Sequence, residues 1–306
     1  MTKKISVIGA GAVGATLAQR IIESGIADVV LIDILKNVAA GKALDLLDAS
    51  PVVGHECGIV GTDDYAQIEG SDIVVITAGL PRKPGMTRED LISKNAGIVK
   101  AVSGNIKKYT PSAIVIVVTN PLDVMTYLAL KIMGSERSKV LGMAGVLDGA
   151  RMAYLIALEL KVKRSTVRTV VLGSHGDTMV PVLSETKVSG KPVTELIPKD
   201  RLERIVKRTC DRGAEIVSLL GTGSAFYSPS AAALLLINAI INDTKETLAV
   251  SALLEGEYGL KDICIGVPCV IGKSGMEKVV ELDLSKEEKD AFLKSANAIR
   301  GSIDLL

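Results

Sequence analysis

Short runs of β-branched and aliphatic residues alternate with longer segments of helical period over residues 1–143. Lys4–Ile8, Val29–Asp33, Asp72–Ala78, Ala113–Thr119 and Val140–Met143 predict strands, and Asp72–Ala78 and Ala113–Thr119 are too apolar to face water on either side. Ala12–Ser24 puts Val13, Leu17 and Ile21 on one stripe and meets Gly25 as a stop. Asn37–Ala49 and Glu89–Tyr109 read as helices as well. Strand, helix, strand in repetition implies right-handed crossovers and a parallel sheet.

The rhythm changes near residue 143. Ala150–Leu160 predicts a helix, Thr166–Leu172 a strand, and Val182–Val193 a hairpin turning at Ser189-Gly190. Helices Lys199–Leu220 and Ser228–Ile241 follow, strands fill Thr247–Val280, and Ser285 caps a last helix, Ser285–Ile303. The pattern predicts two domains, 1–143 and 144–306, the second α+β. No linker rich in Pro, Gly or Ser divides them, so the halves are expected to pack tightly.

Composition narrows this. Hydrophobic residues are 48% of the 306 and aromatic residues only 3%, so the core is built of Val, Ile, Leu and Ala, as suits a sheet buried on both faces. A net charge of +1 gives no basic surface for nucleic acid, and Lys161, Lys163 and Arg164 read as a solvated turn. Cys57, Cys210, Cys264 and Cys269 form no CxxC pair, and with two histidines in the chain neither a metal site nor a disulfide framework is expected. Free thiols suit a cytoplasmic location. The chain enters a strand at once, without a leader, and no apolar run approaches a membrane span; Ala231–Ile241, interrupted by Asn238, reads as a buried helix.

Chemistry starts at Gly9-Ala10-Gly11-Ala12-Val13-Gly14, a GxGxxG placed between a strand and a helix. Gly9 makes the tight turn, Gly11 lets backbone approach a pyrophosphate, and Gly14 lets helix pack on strand. Asp33 ends the next strand, 19 residues after Gly14, where a carboxylate accepts from an adenosine ribose and repels a 2′-phosphate. The unit predicts a Rossmann-type, doubly wound α/β domain that binds NAD rather than NADP. A nucleotide sensor would carry the same unit.

Reversible oxidation of an alcohol needs a group that takes and returns the hydroxyl proton, and histidine suits neutral pH. His55, in the polar loop 51–56, reads as a surface residue. His175 lies in Gly173-Ser174-His175-Gly176-Asp177, a tight turn after an apolar strand. Asp148 and Arg151, three residues apart at a helix start, have plain readings as a cap and a solvated side chain.

LDGAR followed by GSHGD, together with GAGAVG, Ile76-Thr77-Ala78-Gly79 and Val118-Thr119-Asn120-Pro121 in this order, resembles the lactate/malate dehydrogenase family. The segment Tyr227–Ala231 fits less distinctively. The resemblance implies that His175 is the acid–base residue, that Asp148 orients it, and that Arg151 grips the substrate's C1 carboxylate. It implies further that Asn120 bonds near the reacting oxygen and that Ser228 touches substrate. Cofactor contacts are implied for Gly9, Gly11, Ala12, Val13, Gly14, Asp33, Thr77, Ala78, Gly79, Asn95, Val118 and Asn120.

The segment Gly79–Arg88 resembles the family's mobile lid, whose closure would bring Arg88 to the substrate carbonyl and Arg82 to a second carboxylate. Arg82 therefore implies a dicarboxylic substrate, (S)-malate, over lactate; a lactate or broad 2-hydroxy acid dehydrogenase and a catalytically silent NAD sensor are the alternatives. The resemblance also implies a homotetramer or homodimer, and Leu44, Leu46 and Leu47 offer apolar surface for it.

Overall fold

A computed structural model describes residues 3–81 and 86–306, without the side chain of Arg88. The first half runs β1 (Lys4–Ile8), α1 (Ala12–Glu23), β2 (Asp28–Ile32), α2 (Lys36–Val53), β3 (Ile59–Thr62), β4 (Ile73–Ile76), α3 (Arg88–Tyr109), β5 (Ile114–Val117), α4 (Leu122–Met133) and β6 (Val140–Gly142). Strands β3-β2-β1-β4-β5-β6 pair in parallel, so the order reverses between β1 and β4. In such sheets ligands bind at that switch point, outside the carboxyl ends of the strands. Strands β4 and β5 are buried at every position, as their unbroken apolar runs require.

The second half contains α5 (Gly145–Leu160), β7 (Val167–Arg168), β8 (Val171–Gly173), β9 (Met179–Pro181), β10 (Lys187–Val188), β11 (Lys191–Pro192), the single turn α6 (Val193–Leu196), α7 (Lys199–Leu220), α8 (Tyr227–Ile241), β12 (Glu246–Glu255), β13 (Lys261–Gly272), β14 (Gly275–Val279) and α9 (Lys286–Ile303). Strand β12 pairs β6 antiparallel through Ser251 and Gly142, which extends the parallel sheet into β13, β8 and β9. One hydrophobic cluster runs from Ile5 and Leu17 in the first half to Leu236, Ile265 and Phe292 in the second. The hairpin turns where expected, with Ser189 and Gly190 both at positive φ, and Ser285 caps α9 in a reciprocal box with Glu288.

Five readings change. Strand β3 and helix α4 were not expected. Helix α2 continues to Val53, through Pro51, and α5 begins at Gly145 rather than Ala150. Asp148 is thus inside the first turn of α5 and makes no cap; its carboxylate is used elsewhere. His55 is buried, 7% exposed, and neither ring nitrogen has a partner, whereas a loop of such polarity predicts a surface residue. Gly54, in left-handed conformation, ends α2 directly before His55.

Candidate active site

A cleft of about 820 Å³ lies along the carboxyl ends of β1, β4, β5 and β6 and is closed on its far side by α5, α7 and the start of α8. Gly11, Ala12, Val13 and Gly14 form one end, where α1 begins. Helix N-termini present unpaired N–H groups and positive dipole ends, so this end suits a pyrophosphate. At Gly9 and Gly14 the packing leaves no room for a side chain. A Cβ on Gly14 would lie 1.8 Å from the Gly9 carbonyl oxygen, and one on Gly9, whose φ is +107°, would lie 2.7 Å from the Ala78 nitrogen.

Side chains behind this backbone hold its shape. Asp33 Oδ2 accepts from the Ala10 N–H at 2.7 Å, and the Lys42 ammonium donates to the Ala10 carbonyl at 2.6 Å. The same peptide segment is gripped from both sides. Thr77 Oγ1 donates to the carbonyls of Ile8 and Gly9, and Thr119 Oγ1 to that of Ala78. Thr77, Gly79, Val118 and Asn120 line the middle of the cleft with Asn95. Asn95, 1% exposed, accepts from the Leu80 N–H and donates to the carbonyls of Leu80 and Asn120, tying two strand ends together. Gly9, Asp33 and Ala78 lie outside the cleft lining; Ala78 and Gly9 sit beneath it in backbone contact. Among the described residues no group of His, Cys, Asp or Glu is arranged to hold a metal ion.

The other end is charged. His175 Nδ1 lies 2.8 Å from Asp148 Oδ2, and Arg151 donates to Asp148 Oδ1 at 3.1 Å. Side-chain exposure is 13% for His175, 2% for Asp148 and 11% for Arg151, so solvent screens these charges little. An ionised carboxylate only accepts, which puts a proton on Nδ1 and leaves Nε2 as the exchanging nitrogen. Burial pulls the imidazole's proton affinity down, but the charge and hydrogen bond of Asp148 outweigh it; Arg151 opposes, Asp123 assists, and the pKa is raised. The Arg151 Nε is buried without a partner, as in a guanidinium whose remaining face awaits an acceptor.

Ser228 is not in the cleft wall. It sits in the first turn of α8, and the preceding segment, including Ser224, Ala225 and Phe226, lines the cleft instead. Pro229, the next residue, lines the cleft as well. Arg82 and the Arg88 side chain lie outside the described residues, so the expected lid contacts are without geometry; α3, however, starts at Arg88 in a capping box between Thr87 and Asp90. Sequence reading missed Lys42 and Asp123. Lys42 carries no motif signal, while Asp123 lies three residues beyond Asn120 in Asn120-Pro121-Leu122-Asp123.

Comparison with known proteins fits this arrangement. Residues 3–142 match the model of the lactate/malate dehydrogenase NAD binding domain, and residues 145–306 that of the family's alpha/beta C-terminal domain. The chain belongs to the lactate/malate dehydrogenase family, and its first half is an NAD-binding domain. It is 52% identical to the malate dehydrogenase of Desulforudis audaxviator over 98% of this chain and 97% of that one. It is 52% identical to the malate dehydrogenase of Methanosarcina barkeri over 99% of each chain. The crystal structure of Cryptosporidium parvum malate dehydrogenase superposes with a TM-score of 0.97 at 43% identity, covering 99% of this chain and 98% of that one. The lactate dehydrogenase of the same organism, complexed with lactic acid and β-nicotinamide adenine dinucleotide, gives a TM-score of 0.97 at 40% identity, covering 100% and 98%. Equal backbone agreement with both leaves substrate choice to side chains.

Proposed function

We propose that this protein is an NAD-dependent malate dehydrogenase, interconverting (S)-malate and oxaloacetate as in the tricarboxylic acid cycle. The buried His175–Asp148–Arg151 constellation at one end of a dinucleotide cleft carries the reading, since binding NAD alone needs none of the three. Malate dehydrogenases at 52% identity over nearly the whole chain support the dicarboxylate.

Gly9, Gly11, Ala12, Val13, Gly14, Asp33, Thr77, Ala78, Gly79, Asn95, Val118 and Asn120 would hold NAD, which would supply the hydride acceptor. His175 takes the hydroxyl proton at Nε2 during oxidation and returns it during reduction. Asp148 fixes the ring and stabilises the imidazolium. Arg151 grips the C1 carboxylate in a two-pronged bond, and Asn120 hydrogen-bonds near the reacting oxygen. Arg88 stabilises negative charge growing on that oxygen. Arg82 pairs with the C4 carboxylate when the segment 79–88 closes, and pyruvate would leave that guanidinium unpaired.

The chain functions as two domains, 1–143 for cofactor and 144–306 for substrate, and as a homotetramer or homodimer. Helix α2 supports self-association: it buries only Ala39 and Ala43, while Val38, Leu44 and Leu47 are exposed and Leu46 packs inward. Four free thiols support a cytoplasmic location; among the described residues no helix is long and apolar enough to cross a membrane.

The test follows NADH oxidation with oxaloacetate and pyruvate side by side, in the unaltered enzyme and in Arg82→Gln. Oxaloacetate should lead by orders of magnitude in kcat/KM. The variant should lose roughly 30- to 5,000-fold on it, the equivalent of about 2–5 kcal/mol, and gain on pyruvate. A preference for pyruvate in the unaltered enzyme would overturn the malate assignment.

A further inference from the structure

Asp148 is not the only carboxylate committed to the histidine. Asp123, the second residue of α4, is 4% exposed, and its two oxygens have separate tasks. Oδ2 accepts from the main-chain N–H of His175 at 2.9 Å, and Oδ1 accepts from Ser251 Oγ at 2.7 Å. Ser251 is fully buried and stands on β12, opposite Gly142 of β6 and Gly266 of β13. One side chain therefore ties the turn carrying His175 to the central sheet and to the first turn of α4.

The charge matters as much as the tether. Burial pushes the Asp123 carboxyl up to about 6, against the two hydrogen bonds and the nearby imidazole, which lower it; Asp148 raises it further. The imidazole and the two hydrogen-bond donors favour its ionised form. Among the described residues, the charged or titratable groups acting on His175 are Asp148 and Arg151 from α5 and Asp123 from α4. Those facing Asp123 are His175, Asp148 and, from β13, the buried thiol of Cys264, which Asp123 helps hold protonated. Within this set Asp123 and Asp148 are the anions that stabilise an imidazolium.

We propose that Asp123 is a positioning residue for the acid–base histidine: its carboxylate anchors the main chain at His175 to Ser251 and sets a second negative charge beside the imidazolium formed in the reaction. This rests on His175 being the acid–base group.

Asp123→Asn keeps the shape and removes the charge. NADH affinity, read by fluorescence, should change less than about twofold, because no cofactor-lining backbone is anchored by Asp123. Turnover with oxaloacetate should fall about tenfold or more. Reduction needs protonated His175, so its rate falls as pH rises through the histidine's pKa. Removing an adjacent negative charge lowers that pKa, and the alkaline fall should begin at a lower pH, by on the order of half a unit. A lower kcat with an unmoved pH profile would reduce Asp123 to a structural part, and an unchanged kcat and profile would discard the proposal.

Ser251→Ala cuts the tether without touching the carboxyl itself. It should lower kcat severalfold, and because the lost hydrogen bond also raises the Asp123 carboxyl, the alkaline fall should move in the same direction as in Asp123→Asn. If Asp123→Asn fails to give NADH-binding protein, this second variant decides, and an unchanged kcat in it overturns the anchoring role. His175→Asn measured alongside keeps the two readings apart: if that variant retains turnover, the histidine assignment fails, whatever Asp123 does.

Discussion

The two ends of the cleft are built on opposite plans. In the proposed reading the cofactor end works mainly through peptide N–H groups and a helix terminus; Lys42 and Thr77 hold that backbone in place, and Asp33 does so while also facing the ribose. At the proposed substrate end the working groups are buried side chains, Asp148, Arg151 and His175, with Asp123 bonded to the His175 main chain. A backbone site tolerates changes around it until one intrudes on its path. A site of buried charges has no such slack, because each ion left without its partner costs several kcal/mol.

The sharpest break in this comparison is His175→Asn. It should bind NADH as before and lose about 10²- to 10⁴-fold in turnover in both directions, measured at saturating substrate. Equal losses in binding and turnover would mean that the two ends are not independent. Next is Gly14→Ala. One methyl group is added, with no change of charge, but it must displace the Gly9 carbonyl. Overpacking of this kind costs about 1–3 kcal/mol, so NADH should bind roughly 5- to 150-fold more weakly by titration, with kcat at saturation little altered. A fall in kcat with NADH affinity intact would contradict the division.

The smallest effects belong to the side chains that hold the loop. Lys42→Met removes one hydrogen bond to Ala10 and should weaken NADH by about 2- to 10-fold. Asp33→Ser should weaken NADH and also narrow its lead over NADPH, since repulsion of a 2′-phosphate is lifted. Combined, the two changes should cost less than their sum if the clamp on Ala10 works as one unit. Strict additivity in the double variant would show that each acts alone.

Much of this plan was legible in the sequence. The parallel half announces itself because β1, β2, β4 and β5 are short apolar runs separated by helix-length segments, the first of which, α1, carries a clear apolar stripe. Helix α4 escaped because nearly every residue of Leu122–Leu130 except Tyr127 and Leu128 is buried, which erases the periodic contrast. Strand β3 is a four-residue edge with Val60 half exposed, too short and too mixed to declare itself. Glycines at 145 and 149 hid the first turn of α5; a Cβ at Gly145 would lie 2.3 Å from the Val171 carbonyl, so packing rather than propensity chose that residue. His175, Asp148 and Arg151, singled out by their motifs, are brought together by the fold. Asp123 and Lys42 were not singled out, because each acts on a main-chain group, and main-chain partners leave no mark in the spacing of side chains.

The strand pair between Ser251 and Gly142 has a thermodynamic consequence. The sheet crosses from one family segment to the other without interruption, and a single apolar cluster spans both. Residues 3–142 and 145–306 can be separate units of descent and still be one unit of melting. Losing either would strip cover from the other's half of a shared core, so neither gains by unfolding first. Heat or denaturant should take the chain apart in one cooperative step, and the pocket that depends on both halves should persist until that step and vanish with it.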